Sequence, residues 1–206
     1  MEQCNKTLAE STRSFFIESI EEYPRKTVLQ KSVQLMKRHR DLFFLTKPTK
    51  DQDDKPISII ITTLAAEKYN GEQTVLEAII NIAKQIKRDV DLVGVTKILN
   101  PVNALENFAD RWVGEPNKKR MFEIWVNQLE MDMVHLSSLD FEKQGAFLNK
   151  IFGNEPVKRV YENLGNNTRI LREEGKLKAD KKTGVLNTIA GATVAAHTFY
   201  GKEKKN

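Results

Sequence analysis

Apolar residues recur at intervals of three and four through the first 45 residues, which is the spacing of one face of an α-helix. Two helices are predicted, over residues 6–22 and 27–45, because Tyr23-Pro24 interrupts the series and proline disfavours helical geometry at the preceding residue. The apolar positions are Leu8, Phe15, Phe16 and Ile20 in the first helix and Leu29, Val33, Met36 and Phe43 in the second. Residues 46–55, rich in Lys, Asp and Pro, predict a polar loop.

Residues 57–69 are apolar on all sides, which is typical of a buried element, and Pro56 stands where a first-turn proline belongs. A strand over 57–63 is a second interpretation, because β-branched residues dominate that stretch. The Leu-Ala-Ala continuation favours a central helix, with Ile60 and Leu64 buried. Asn70-Gly71 is expected to end it in the left-handed conformation that both residues tolerate.

Further helices are predicted to the C-terminal side. A capping box at Thr74 and Glu77 opens a helix to about residue 87, and Asn100-Pro101 marks a turn. Long periodic segments follow over 116–139, 141–152 and 156–172. No strand alternation and no internal repeat stands out, so the predicted fold class is all-α, a bundle of six to eight helices.

Composition excludes few classes of function. The 206 residues carry a net charge of +5, which favours anionic partners such as nucleotides, nucleic acid or acidic lipid without choosing among them. A single cysteine, no signal-peptide pattern and no long apolar run indicate a soluble cytoplasmic protein with no membrane partner. Basic residues cluster at 37–40, 118–120, 176–182 and 202–205.

Candidate chemistry is sparse. On composition alone, Lys37, Arg40 and Asp41 form either a solvated helix face or a site at which an ammonium reaches a polyphosphate. The histidines lack neighbours at metal-ligand spacing, so no metal site is predicted. The Asp-x-Asp pairs at 51–53 and 89–91 lack the strands and the phosphate-gripping turn that two-metal catalysis needs, so no catalytic residue is assigned.

Three segments carry a family resemblance. The first is residues 29–41, which begin with Leu-Gln and end with Lys-Arg-His-Arg-Asp. The others are residues 56–66 and residues 100–112, which contain Asn-Pro and then Glu-Asn-Phe-Ala. All three resemble the C-terminal helical lobe of bacterial cyclic-oligonucleotide synthases. These are antiphage nucleotidyltransferases related to cyclic GMP-AMP synthase, with a fold similar to that of oligoadenylate synthase. By motif position, the resemblance implies that Lys37 and Ser58 contact the triphosphate of a bound nucleotide, and Arg40 is predicted as a third nucleotide-binding residue. It also implies nucleoside triphosphates as partners and Mg²⁺ as the cofactor of the complete enzyme.

One departure from the family is large. Its catalytic lobe uses a Gly-Ser turn followed by Asp-x-Asp, and no Gly-Ser dipeptide occurs here. We therefore expect a helical nucleotide-cleft lobe over 1–175, a basic tail over 176–206 packing back on it, and no N-terminal catalytic lobe. A fragment, half of a split enzyme and a relic gene all fit. Such a lobe would be inactive without a catalytic lobe in cis or trans. The rival prediction is a non-enzymatic, nucleic-acid-binding helical domain.

Overall fold

The computed structural model describes residues 26–93 and 97–195. The helix predicted over 6–22 and the end of the basic tail lie outside these residues. The described helices are α1 (Val28–Leu45), α2 (Thr49–Gln52), α3 (Ser58–Lys68), α4 (Val75–Val93), α5 (Pro116–Ser138), α6 (Phe141–Phe152) and α7 (Asn154–Glu173). A 3-10 turn at Asp110–Trp112 lies between α4 and α5, and three short strands follow α7. The fold is mostly α-helical, which confirms the predicted class.

The core forms where α5 packs along α4, with α1 and α3 closing it. The helix α3 buries four apolar residues on its inner side, which confirms a central helix and makes the strand interpretation wrong. The interior residues of α3 are Ile60, Ile61, Leu64 and Ala65. Those of α4 are Ala78, Ile79, Ile82, Ala83 and Ile86. Tertiary burial outweighs the strand preference of the β-branched residues here.

The end of α3 differs from the expectation. The helix stops at Lys68 because Tyr69 adopts extended geometry, with φ −75° and ψ 127°. Of the two residues, Gly71 has a positive φ of 82° and Asn70 does not. The glycine therefore turns the connecting loop, and the left-handed cap predicted at Asn70-Gly71 is wrong.

The helix α4 opens as predicted, since Thr74 Oγ1 accepts the Glu77 backbone N–H at 3.3 Å. It runs to Val93 rather than ending near residue 87. The connection to α5 is an irregular loop over 97–115, in which an isolated bridge joins Leu99 to Asn107. Trp112 at its end is buried against Phe122 of α5, with ring centroids 5.1 Å apart.

The C-terminal part contains strands that the sequence pattern did not predict. β1 (Lys178–Ala179) lies between β2 (Leu186–Asn187) and β3 (Ala192–Thr193), and both pairings are antiparallel. Two-residue strands are too short to show apolar alternation. Gly191 allows the close approach of β3, because a Cβ there would lie 2.1 Å from the Ala179 carbonyl oxygen. Across the described ranges, no helix combines the length and apolarity that crossing a membrane requires.

Candidate functional site

The helix α1 presents its polar residues on two different sides. It begins at a complete capping box, in which Thr27 Oγ1 accepts the Gln30 N–H at 3.2 Å and Gln30 Oε1 accepts the Thr27 N–H at 2.9 Å. Ten residues further on, Lys37, His39 and Arg40 fall within one turn but point to different neighbours, because successive residues are about 100° apart around a helix. Arg40 faces α3, whereas His39 faces α5.

Arg40 is only 6% exposed, and its guanidinium is hydrogen-bonded to protein groups. Nη1 donates to the Pro56 carbonyl at 2.8 Å and to Ser58 Oγ at 3.2 Å. Nη2 and Nε donate to Asp41 Oδ1 at 2.8 and 3.1 Å. These bonds fix the start of α3 against the side of α1.

Asp41 anchors this arrangement as a carboxylate. Burial alone raises the pKa of Asp41, but hydrogen bonds and charge from Arg40, and then from Lys55, outweigh that effect and hold the pKa below its usual value. The Lys55 ammonium lies 3.2 Å from Asp41 Oδ1. The guanidinium, the carboxylate and the ammonium together stabilise the chain immediately before α3.

Ser58 is the first residue of α3 and is exposed. The preceding Ile57 occupies the N-cap position, and no side chain in the described part of the chain caps the first turn. A helix start of this kind favours an anion, because the free N–H groups and the helix dipole carry partial positive charge. The Ser58 hydroxyl accepts its bond from Arg40, so its own proton is available to a ligand.

Lys37 lies where α1 packs beside α3, an interface that we call the seam between α1 and α3. It lines a groove of about 440 Å³ together with Val33 of α1 and with Thr62 and Ala66 of α3. Thr62 and Ala66 follow Ser58 at four-residue intervals and therefore share its face of α3. Among the described residues, none of the ion pairs involves Lys37. The structure thus brings Lys37, Ser58 and Arg40 to one seam, with Arg40 inside it.

The other side of α1 carries a mostly buried polar network, and His39 and Asp132 of this network also line a groove of about 290 Å³. Trp125 Nε1–H of α5 donates to His39 Nδ1 at 3.1 Å, and His39 Nε2 lies 2.9 Å from Asp132 Oδ2. Because Nδ1 accepts from the indole, the proton of a neutral imidazole must lie on Nε2, which donates to Asp132. Burial raises the pKa of Asp132, but hydrogen bonds from His39 and Gln128 outweigh burial and lower it. Sequence patterns could not predict this network, because its members lie far apart along the chain.

The acidic segment before α3, which contains the short helix α2 within the predicted polar loop, is attached to α5. Asn117 of α5 donates to Asp51 Oδ1 at 3.3 Å and also to the Asp54 carboxylate. Lys118 Nζ lies 3.2 Å from Asp54 Oδ1 and 3.0 Å from Glu115 Oε2. The Glu115 hydrogen bond raises the pKa of Lys118 against the opposing effect of burial, with a further hydrogen bond from Asp54. Lys118 therefore fastens the loop to α5.

Metal-binding groups are not brought together in the described part of the chain, where no three His, Cys, Asp or Glu side chains converge. The Asp89 carboxylate pairs with the Lys68 ammonium at 2.5 Å, and Asp51 is engaged by α5. The carboxylates present therefore do not form a magnesium cage. Of the other histidines, His135 is exposed and packs edge-on against Phe147, whereas His197 lies outside the described residues.

Known proteins resemble the chain at the levels of sequence and fold. No protein-family model matches it. A protein named c-di-GMP synthase from Roseivirga ehrenbergii is 32% identical over 202 residues, which is 95% of this chain and 52% of that protein. The chain thus spans about half the length of this curated relative. The CD-NTase CdnG of Bradyrhizobium diazoefficiens, solved in complex with GTP, matches 68% of this chain and 41% of its own, with a TM-score of 0.56 and 21% identity. That structural match shows a shared fold.

Proposed function

This chain belongs to the bacterial cyclic GMP-AMP synthase-like nucleotidyltransferases, and we propose that its seam between α1 and α3 holds the triphosphate of a bound nucleotide. The observation that carries this proposal is the placement of Lys37 and Ser58 along one seam, beside a groove and at the start of a helix without a side-chain cap. The groove volume of about 440 Å³ falls within the range of small-molecule sites, roughly 300–1,000 Å³.

Each residue of the seam has its own role in this proposal. The Lys37 ammonium binds phosphate oxygens as a mobile point charge. The Ser58 hydroxyl donates to a phosphate oxygen, and the first-turn N–H groups of α3 add partial positive charge. Arg40 acts through its bonds to Ser58 and to the Pro56 carbonyl, because its burial favours positioning over direct contact.

Catalysis is assigned to a second lobe. We infer that a catalytic lobe, in cis or trans, supplies the Gly-Ser turn and the Asp-x-Asp carboxylates, and that this chain is inactive without it. The carboxylates of that lobe would hold Mg²⁺, which would neutralise phosphate charge during phosphoryl transfer. The product class is a cyclic-oligonucleotide second messenger acting in antiphage defence. The names of the two similar proteins, a c-di-GMP synthase and a CD-NTase bound to GTP, support this assignment.

A nucleic-acid-binding role is less well supported. Two cations of the cluster over 118–120 form ion pairs within the fold. Lys118 pairs with Asp54 and Glu115, and Lys119 lies 3.8 Å from Glu123. Lys176 of the tail pairs with Glu174 at 2.8 Å. Charges engaged in this way are less available to phosphates of a nucleic-acid backbone.

The function is tested by joining the chain to a catalytic lobe. The half of the Roseivirga relative that lies outside the alignment is suitable, with this chain replacing the matched half. We expect the joined protein to convert ribonucleoside triphosphates and magnesium into phosphodiester products, and the isolated chain to form none. Product formation by the isolated chain would overturn the assignment, as would a joined protein that folds but binds no triphosphate.

A further inference from the structure

A second groove, of about 290 Å³, lies where the C-terminal end of α1 meets α5 and α6. We call it the α1–α5–α6 groove. It shares no lining residue with the groove beside Lys37, and the proposed function leaves it unused. Its volume lies just below the roughly 300–1,000 Å³ of drug-sized sites, so it suits a ligand of about one ring.

One wall of this groove is held in place by hydrogen bonds. His39 is 2% exposed and is bonded to both Trp125 and Asp132. Gln128 Nε2 donates to Asp132 Oδ1 at 3.0 Å, so both carboxylate oxygens have partners. Because the amide nitrogen of Gln128 carries two hydrogens, its second N–H is available to a ligand. The wall is therefore preorganised, and ligand binding need not order it.

The groove also contains two lysines, Lys47 and Lys150. Neither forms an ion pair with any of the described residues. The Lys47 ammonium lies 4.1 Å from the centroid of the Phe43 ring, and the Lys150 ammonium lies 5.9 Å from that of Phe147. An ammonium over a ring keeps N–H donors for an anion. Two ammonium groups and the single carboxylate of Asp132 leave one net positive charge, which favours a ligand with one negative charge.

Apolar side chains complete the lining of the groove. Leu42 and Phe43 of α1 are half-buried, and Ile151 of α6 is 5% exposed. An inorganic anion would leave this apolar surface in contact with water, whereas an apolar or aromatic body would cover it. Apolar walls with a few convergent polar groups are the usual composition of a small-molecule site.

We propose that the α1–α5–α6 groove binds a small organic carboxylate with an apolar or aromatic body. The carboxylate of this ligand accepts from the ammonium groups of Lys47 and Lys150 and from the Gln128 amide. Its body packs on Leu42 and Ile151. This inference does not depend on the proposed function, because the groove and the nucleotide seam have no lining residue in common.

Trp125 provides a readout of occupancy, and benzoate is the probe. The chain has two tryptophans, of which Trp125 donates its indole N–H to His39, whereas Trp112 packs against Phe122. In proton–nitrogen correlation spectra of the isolated chain, benzoate should shift the Trp125 indole resonance saturably and by more than that of Trp112. Benzamide has the same ring without the charge, and inorganic phosphate has charge without the ring. Both should bind at least about tenfold more weakly than benzoate.

Substitution of the two lysines tests the anion contacts. Lys47→Gln together with Lys150→Gln should weaken benzoate binding by about tenfold or more. The matched control is Lys50→Gln with Lys143→Gln, which removes the same charge from exposed lysines outside the groove and should bind benzoate as the wild type does. Should the first pair fail to fold, the comparison of benzoate with benzamide on the wild type still decides.

Several results would overturn this assignment. The absence of a saturable Trp125 shift would do so, as would benzamide or phosphate binding as tightly as benzoate. Equal weakening by the two lysine pairs would indicate a general effect of charge. A benzoate affinity that falls in the Lys37→Ala variant would place the ligand in the nucleotide seam instead of the α1–α5–α6 groove.

Discussion

His39 and Arg40 are neighbours in sequence, yet they serve two different seams of α1. At the seam with α5, His39 links Trp125 to Asp132, so all three groups find partners inside the fold, although His39 and Asp132 also line a groove of about 290 Å³. The seam with α3 is open, because Arg40 is satisfied by protein groups while Lys37 faces a groove. A buried polar group with full hydrogen bonding stabilises structure, whereas a cation beside a groove is available to a ligand.

The helix α3 has a core face and a seam face, and Leu64→Ala tests the first. Removing this buried side chain should lower the free energy of unfolding by about 2–5 kcal/mol. Thr62→Ala on the seam face is the control and should cost less than about 1 kcal/mol, since only its hydrogen bond to the Ser58 carbonyl is lost. Urea denaturation measures both. Equal costs would show that the two faces have been assigned incorrectly.

The seam between α1 and α5 should respond to His39→Ala with a smaller loss of stability. The substitution leaves the buried Trp125 N–H without an acceptor, which costs about 1–3 kcal/mol. His39→Gln is the matched variant, since its amide can both accept from the indole and donate to Asp132, and it should recover much of the loss. A glutamine variant no more stable than the alanine variant would contradict the hydrogen-bonding role.

The pH dependence of the same seam provides a third, weaker effect. Because the pKa of Asp132 is lowered on folding, its contribution to stability is present above the unfolded value of 3.8 and is lost as pH falls through the folded pKa. The stability difference between the wild type and Asp132→Asn should therefore be larger at pH 6 than at pH 3. Denaturation at both pH values checks this, and a constant difference would show that the carboxylate charge has no role.

Most of the helical framework could be predicted from the sequence. The apolar periodicity of α1, α5 and α6 and the N-cap at Thr74 are local signals, so they could be predicted without tertiary information. The capping box at Thr27 is also a local signal, but it was not predicted. The strands at 178–193 could not be predicted, because pairs of two residues carry no periodic signal. The family motif led to Lys37 and Ser58, but the direction in which Arg40 points depends on the packing of α1 against α3. Direct contact of Lys37 and Ser58 with nucleotide, and the nucleotide-binding role of Arg40, stay predictions.

The ion pairs of Lys118 matter for the choice of a control in binding experiments. This lysine is tied to Asp54 and Glu115, so removing it disturbs the loop before α3 as well as the charge. Lys84, exposed on α4, is a better control for general electrostatics. Lys37→Ala and Lys84→Ala remove the same charge, but only Lys37 lies on the open seam.

Triphosphate affinity of the joined protein, measured for the wild type, Lys37→Ala and Lys84→Ala at several salt concentrations, tests the nucleotide seam most directly. We expect Lys37→Ala to leave the free energy of unfolding almost unchanged and to weaken binding about tenfold, which corresponds to about 1.4 kcal/mol. Lys84→Ala should bind as the wild type does. Equal weakening by both substitutions, with the same dependence on salt, would instead indicate a general effect of charge and would contradict a specific role for Lys37.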